Sequence, residues 1–365
     1  MSAAFWSLPG PSRFVSRVRS DIWAGKNVIV TSKAFCPRGL LRALEAAIRE
    51  NDLILWRPLA IGGLAEAPPL ETVATYLCPE ELELGVTARR IATMDRLSGA
   101  VLLVPDVPRA RAVEWALFVA DYANIARNAA EEPPVFLLCL ECSDDGERGL
   151  RPAGVVLHDA DDSVWPSDTA CLVSAGVTDS ACRLHRLVHV AVAAELAGTD
   201  LELAGRLAGV GLRDLMRPQE ILADRARELG WQPAMSVNHA AETWHGRHRR
   251  HSSFEVLAGN IPEIDRRIWR GQVQALFPLV EELRLQLVSQ VRYLLRLPLQ
   301  TEWGVVEDAE DLEVGPLHYL LKQAQAPRSA VHLARILKSL RHDLAHLRPV
   351  RIEDLHDDRL IQASE

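Results

Sequence analysis

NVIVTSKAFCPRGLLRAL, Asn27 to Leu44, decides how the first part of the chain is read. Its opening run, NVIVTS (Asn27 to Ser32), is short, continuous and rich in β-branched residues, the pattern of a strand buried on both faces. Pro37 and Gly39 punctuate a turn, and GLLRALEAAIREN then takes up helical spacing. The same alternation continues outward. Apolar runs recur at LILW (Leu53 to Trp56), AVLLV (Ala100 to Val104), VFLLCL (Val135 to Leu140) and GVVLHD (Gly154 to Asp159). Helical stretches such as RAVEWALFVADYANIARNAA separate them. Strands alternating with helices predict an α/β domain with a parallel sheet over residues 1–165.

Beyond Trp165 the strand signals fade. Short helices rich in Ala and Leu are expected from Ala181 to Gly230. HAAETWHGRHRRHSSFE (His239 to Glu255) then reads as a basic loop or charged helix edge. Trp269, Val273, Leu276, Val280, Leu283, Leu287, Val291 and Leu294 recur at spacings of three and four, an apolar stripe on one long helix. Pro278 lies within it and predicts a kink or a broken first turn. An acidic linker (Glu302 to Glu313), a short helix near Pro316 to Gln325, and a last helix from about Ser329 to Leu347 complete the pattern, with Pro349 marking the end. The expected organisation is α/β plus all-α: an α/β domain over 1–165, a helical lid-like segment over 166–255 and a helical bundle over 256–365.

Composition narrows the classes. The chain has 365 residues and a net charge of -8, which argues against a surface given over to nucleic acid while leaving room for a local basic patch. No apolar run is long enough for a membrane span, and MSAAFWSLPGPSRFVSRVRS has no signal-peptide core. The six cysteines are scattered, as reduced thiols are, so the expected location is the cytoplasm.

The first strand-to-helix turn stands where a phosphate-binding loop stands in a P-loop NTPase. It carries Lys33, Arg38 and Gly39 but no Gly-Lys-Ser/Thr signature, and the third strand ends in Asp106, where a magnesium-binding acid would be. By element order and this acid, residues 25–160 resemble a degenerate P-loop domain of the AAA or STAND type. That resemblance implies Lys33, Arg38, Gly39 and Asp106 as nucleotide contacts, with ATP and magnesium as ligands. The absent signature supports the alternative, a scaffold that binds no nucleotide.

On the last helix, RHDLAH (Arg341 to His346) places His342 and His346 four residues apart on a polar face. Leu333, Leu337, Leu340, Leu344 and Leu347 form the opposite, apolar stripe, and Arg341 lies at the border. Arg, a polar residue, three residues and His is the motif of the HEPN superfamily, which residues 256–355 resemble. Arg335 with His342 fits the looser spacing as well. The resemblance implies a metal-independent ribonuclease formed by a homodimer: His346 as general acid or base, Arg341 on the phosphate, His342 assisting. RNA supplies its own 2′-OH nucleophile, so His and Arg suffice without a metal. Fusion to a switch-like domain resembles effectors of bacterial toxin and phage-defence systems. The alternative is a non-catalytic adaptor that uses both domains for protein contacts.

Other clusters carry weaker signals. Cys139, Cys142, Cys182 and His185 have metal-like spacing, but Cys139 falls in an apolar strand, and no metal is expected. WHGRHRRH (Trp244 to His251) reads as an exposed basic loop, or else a contact for RNA phosphate or an acidic partner. Asp159, Asp161 and Asp162 read as loop solvation.

Overall fold

The structure, a computed structural model, describes residues 5–32, 39–50, 55–59, 67–107, 109–129, 131–141, 153–177, 182–233, 240–301 and 304–365. Packing separates two compact units, one of residues 1–168 with 234–250 and the other of 169–233 with 251–365.

In the first unit the apolar runs form strands β1 (Asn27–Ser32), β2 (Trp56–Pro58), β3 (Val101–Val107), β4 (Val135–Glu141) and β5 (Val155–Asp159). All pair in parallel, in the order β2-β3-β4-β1-β5. Alternate residues feed opposite faces. Val28, Val30, Leu103 and Leu137 meet α1 (Pro9–Trp23) and α2 (Leu40–Ile48), while Ile29, Leu102, Phe136 and Leu138 meet α3 (Pro69–Leu77), α4 (Ala88–Ala92) and α5 (Ala112–Ala126). A sheet covered on both sides needs the continuous apolar strands that the sequence displays. β2 begins only at Trp56; Leu53 and Ile54 lie outside the described residues. Residues 241–250 do not form a loop. They are an antiparallel hairpin, β6 (Ala241–Trp244) and β7 (Arg247–Arg250), turned by His245 at φ 49° and Gly246 at φ 72°.

The second unit is helical: α6 (Pro166–Gly176), whose first residues still belong to the first unit, α7 (Arg183–Ala197), α8 (Leu201–Ala208), α9 (Leu212–Leu215), α10 (Gln219–Glu228), α11 (Ser252–Leu257), α12 (Ile261–Val291), α13 (Val314–Gln323), α14 (Arg328–Ala345), α15 (Ile352–Leu355) and α16 (Asp358–Ser364). The expected lid-like segment is not a layer of its own. Leu184, Val188, Val192 and Leu196 of α7 share one core with Ile264, Ile268, Leu276 and Leu283 of α12 and with Leu337, Leu340 and Leu344 of α14. α12 runs through Pro278 as one helix. The acidic stretch after it is a small hairpin, β8 (Leu299–Thr301) with β9 (Gly304–Val306), followed by a 3-10 turn at Ala309–Asp311.

A buried polar knot organises this unit. Asp200 caps α8 by accepting hydrogen bonds from the Glu202 and Leu203 amides, 3.0 Å each. Arg225 of α10 donates to both of its oxygens, at 2.7 and 3.1 Å, and His251 at the start of α11 lies 3.5 Å away. Burial pushes the Asp200 carboxyl up, but the His251 and Arg225 contacts outweigh it and hold it below the usual carboxylate range.

Two expectations follow. A Cβ at Gly271 would lie 2.6 Å from Val192 Cα, where α12 crosses α7, whereas one at Gly205 in α8 meets nothing within 4 Å. In urea titrations Gly271→Ala should destabilise by about 2 kcal/mol or more, since backbone stands in the way, and Gly205→Ala should stabilise by about 0.5–1 kcal/mol. Equal effects would contradict the packing. Burial also holds the imidazoles of His158 and His189 below their ordinary range; for His158 the Asp21 contact offsets part of it. Such groups stay neutral in the fold where the unfolded chain, titrating near 6.5, already binds protons. Their stability is therefore present above that value and lost as pH falls below it, and calorimetry should give a lower Tm at about pH 5.5 than at about pH 7.5.

Candidate active site

Helix α14 carries Arg341 and His342, and His346 is its C-cap. The helix is held at this end by two side chains of α12. The Trp269 indole N–H donates to the Leu344 carbonyl at 2.8 Å. Gln272 accepts from the Val350 amide at 2.6 Å and donates back to its carbonyl at 3.0 Å, fixing the chain that leaves the helix. Apolar spacing drives the remaining contacts: Ile336, Leu337, Leu340 and Leu344 are buried.

The structure brings His342 and His346 together. Both are exposed, with ring centroids 4.3 Å apart. Lys338, one turn back, and Arg348 just after the helix are also exposed. On α13, burial lowers the His318 imidazole, and the charges of Lys338, Lys322 and Arg335 lower it further. Arg335 also contacts His332, which bonds Asp357 at 3.0 Å.

Arg341 points elsewhere. Its guanidinium makes a two-pronged bond to Glu313 at 2.7 and 3.2 Å, and its Nε lies 3.9 Å from Glu281. The sequence carries no local sign of this, because Glu313 lies 28 residues away. With side-chain exposures of 30% and 66%, the Glu313 pair is a surface salt bridge, worth at most about 1 kcal/mol. A phosphate competing for the guanidinium has little to displace.

The nucleotide contacts expected in the first unit are only partly described. Lys33 and Arg38 lie outside the described residues, and so does the Asp106 side chain. Gly39 opens α2 at φ 83°, and a Cβ there would sit 3.0 Å from the Trp6 indole nitrogen, so only glycine suits the turn. The β3–β4 register shifts between Val104 and Val107, around Asp106. Cys139 is buried in β4; Cys182 caps α7 through its sulfur, and His185 bonds the Leu355 carbonyl; Cys142 lies outside the described residues. No group of three or more His, Cys, Asp or Glu among the described residues is arranged to hold a metal ion, and none of the described helices is long and apolar enough to cross a membrane. No protein-family model matches the chain, and a search of curated proteins finds no match.

Leu347 departs from the apolar stripe. The helix stops at Ala345, Arg348 N–H bonds back to the Asp343 carbonyl at 3.0 Å, and Leu347 takes φ 57° with 59% of its surface exposed. This is a glycine-type helix stop occupied by leucine. Leu347→Gly should stabilise the fold by about 1 kcal/mol in chemical denaturation by removing left-handed strain. A loss of stability would show that the leucine side chain contributes more than its dihedral costs.

Proposed function

We propose that this chain is a metal-independent ribonuclease-like effector, with His342, His346 and Arg341 as its reactive set and a second copy of the chain completing the site. The observation that carries the reading is the pair of exposed imidazoles 4.3 Å apart at a helix end where Lys338 and Arg348 are also exposed. Two histidines meet the needs of RNA cleavage. One removes the proton of the 2′-OH as that oxygen attacks phosphorus. The other protonates the departing 5′ oxygen as the P–O5′ bond breaks, leaving a 2′,3′-cyclic phosphate and a 5′-hydroxyl. His346 is assigned the acid or base role and His342 the assisting one. Arg341, released from Glu313, would neutralise the phosphoryl oxygens. A single Arg at the edge of one helix does not complete the site, hence the second copy. The regulated toxin or phage-defence setting and a degenerate nucleotide switch in the first unit belong to the same proposal, and its cellular place would be the cytoplasm.

One observation favours a second reading. The Arg341–Glu313 bond also serves as a clasp between α14 and the start of α13, as an adaptor would need for a stable docking surface.

The test is incubation of the purified chain with total RNA in EDTA, with its mass followed by light scattering. The ribonuclease reading expects a dimer and cleavage that falls by about 100-fold or more in His346→Ala and Arg341→Ala. Glu313→Gln should raise RNA affinity by freeing Arg341. A monomer inert toward RNA, with Glu313→Gln indistinguishable from wild type, would select the adaptor.

A further inference from the structure

The β6–β7 turn, residues 164–166 and the first half of α1 enclose a cavity of about 340 Å³ within the first unit. Arg13 and Arg17 enter from one face of α1, four residues apart. Trp165 forms one wall, and Thr243, His245 and Gly246 of the hairpin form another. Among the described residues the lining holds two guanidinium groups, an indole and an imidazole, and no carboxylate. Arg13 and Arg17 form no ion pair among the described residues; their contacts are with aromatic faces, Arg13 over Trp165 at 5.7 Å and Arg17 over Phe14 at 5.9 Å.

The wall is held in place before any ligand arrives. Asp168 is buried and accepts the backbone N–H of Trp165 at 2.9 Å and that of Gly10 at 3.4 Å. Its charge is thereby taken up by backbone, and α1 is tied to the tryptophan. A Cβ on Gly10 would meet Asp168 Oδ2 at an impossible 2.2 Å, so the clamp requires glycine there.

We infer that this cavity binds a phosphorylated nucleoside, either free or at the end of an RNA strand. Two guanidinium groups with no acidic partner among the described residues suit phosphate oxygens, and an indole 38% exposed offers a stacking face for a base. The volume falls within the range of small-molecule sites. A net charge of -8 is compatible with a local cationic pocket that takes one or two phosphates. The pocket residues belong to the first unit and the α14 histidines to the second, and the inference does not rest on RNA cleavage.

Titrating the full-length protein with AMP, ADP and ATP by calorimetry, and with a fluorescent ten-nucleotide RNA by anisotropy, separates the two sources. Binding of at least one probe is expected. Arg13→Ala with Arg17→Ala should weaken it by about 10-fold or more. Trp165→Ala should weaken it by about 10-fold, and Trp165→Phe, which keeps a stacking face and guards against misfolding, by only a few fold. Arg89→Ala, an exposed arginine on α4, should leave affinity unchanged. Absence of binding by every probe at millimolar concentration, or binding that the double arginine variant does not alter, would overturn the inference. In the second case the nucleotide would be held elsewhere, as at the β1–α2 turn.

Discussion

The helical unit depends on one buried carboxylate. Asp200 simultaneously ends the α7–α8 turn, receives both prongs of Arg225 from α10 and faces His251 at the start of α11. Residues 234–250 leave the unit between two of these partners, so the chain must find its way back to the same place. A buried pair contributes little net stability once desolvation is counted, but a lone member is costly to leave unpaired. Apolar packing supplies the gross driving force here. The Asp200 knot makes the return point of the chain specific. Nearby, buried Arg267 bonds the Ser252 hydroxyl at 2.6 Å and fixes the first turn of α11 to α12.

The long helix α12 carries that order to the candidate site. Gly271 brings it against α7, Gln272 grips Val350, and Trp269 seals the Leu344 carbonyl. Three side-chain positions spanning one turn thus set both the core and the end of α14. The helix end that carries His342 and His346 is tied to α12, whereas Arg341 is held by the exposed Glu313 carboxylate, which solvent weakens, and lies near the half-buried Glu281.

Much of this was legible in the sequence where the signal is local. Strands β1, β3 and β4 announce themselves because a strand buried on both faces must be apolar, and the half-buried edge strand β5 still opens on an apolar run. The face shared by His342 and His346 follows from helical spacing. The division of the chain does not. An amphipathic pattern says that a helix has a buried side, and not which helix covers it, so residues 166–255 read as a separate segment while α7 lies in the same core as α12 and α14. The β6–β7 hairpin was concealed by its charges, although His-Gly between Trp244 and Arg247 is a turn signal of the Asn-Gly kind. Leu347 shows the other limit: a helical wheel assumes that the helix continues, and this one stops two residues earlier. The partnership of Arg341 with Glu313 rests on tertiary folding alone.

The hairpin has a consequence for how the molecule is made. It belongs to the first unit yet is encoded inside the second, so neither unit is a single stretch of chain. During synthesis the sheet, its helices and α6 to α10 emerge before residues 241–250 do. The first unit waits for a late-coming piece, and the second holds an open interval until α11 has been made. Cutting the gene at one point therefore yields no intact half. The pocket residues on α1 and the turn that covers them meet only after most of the polypeptide has left the ribosome.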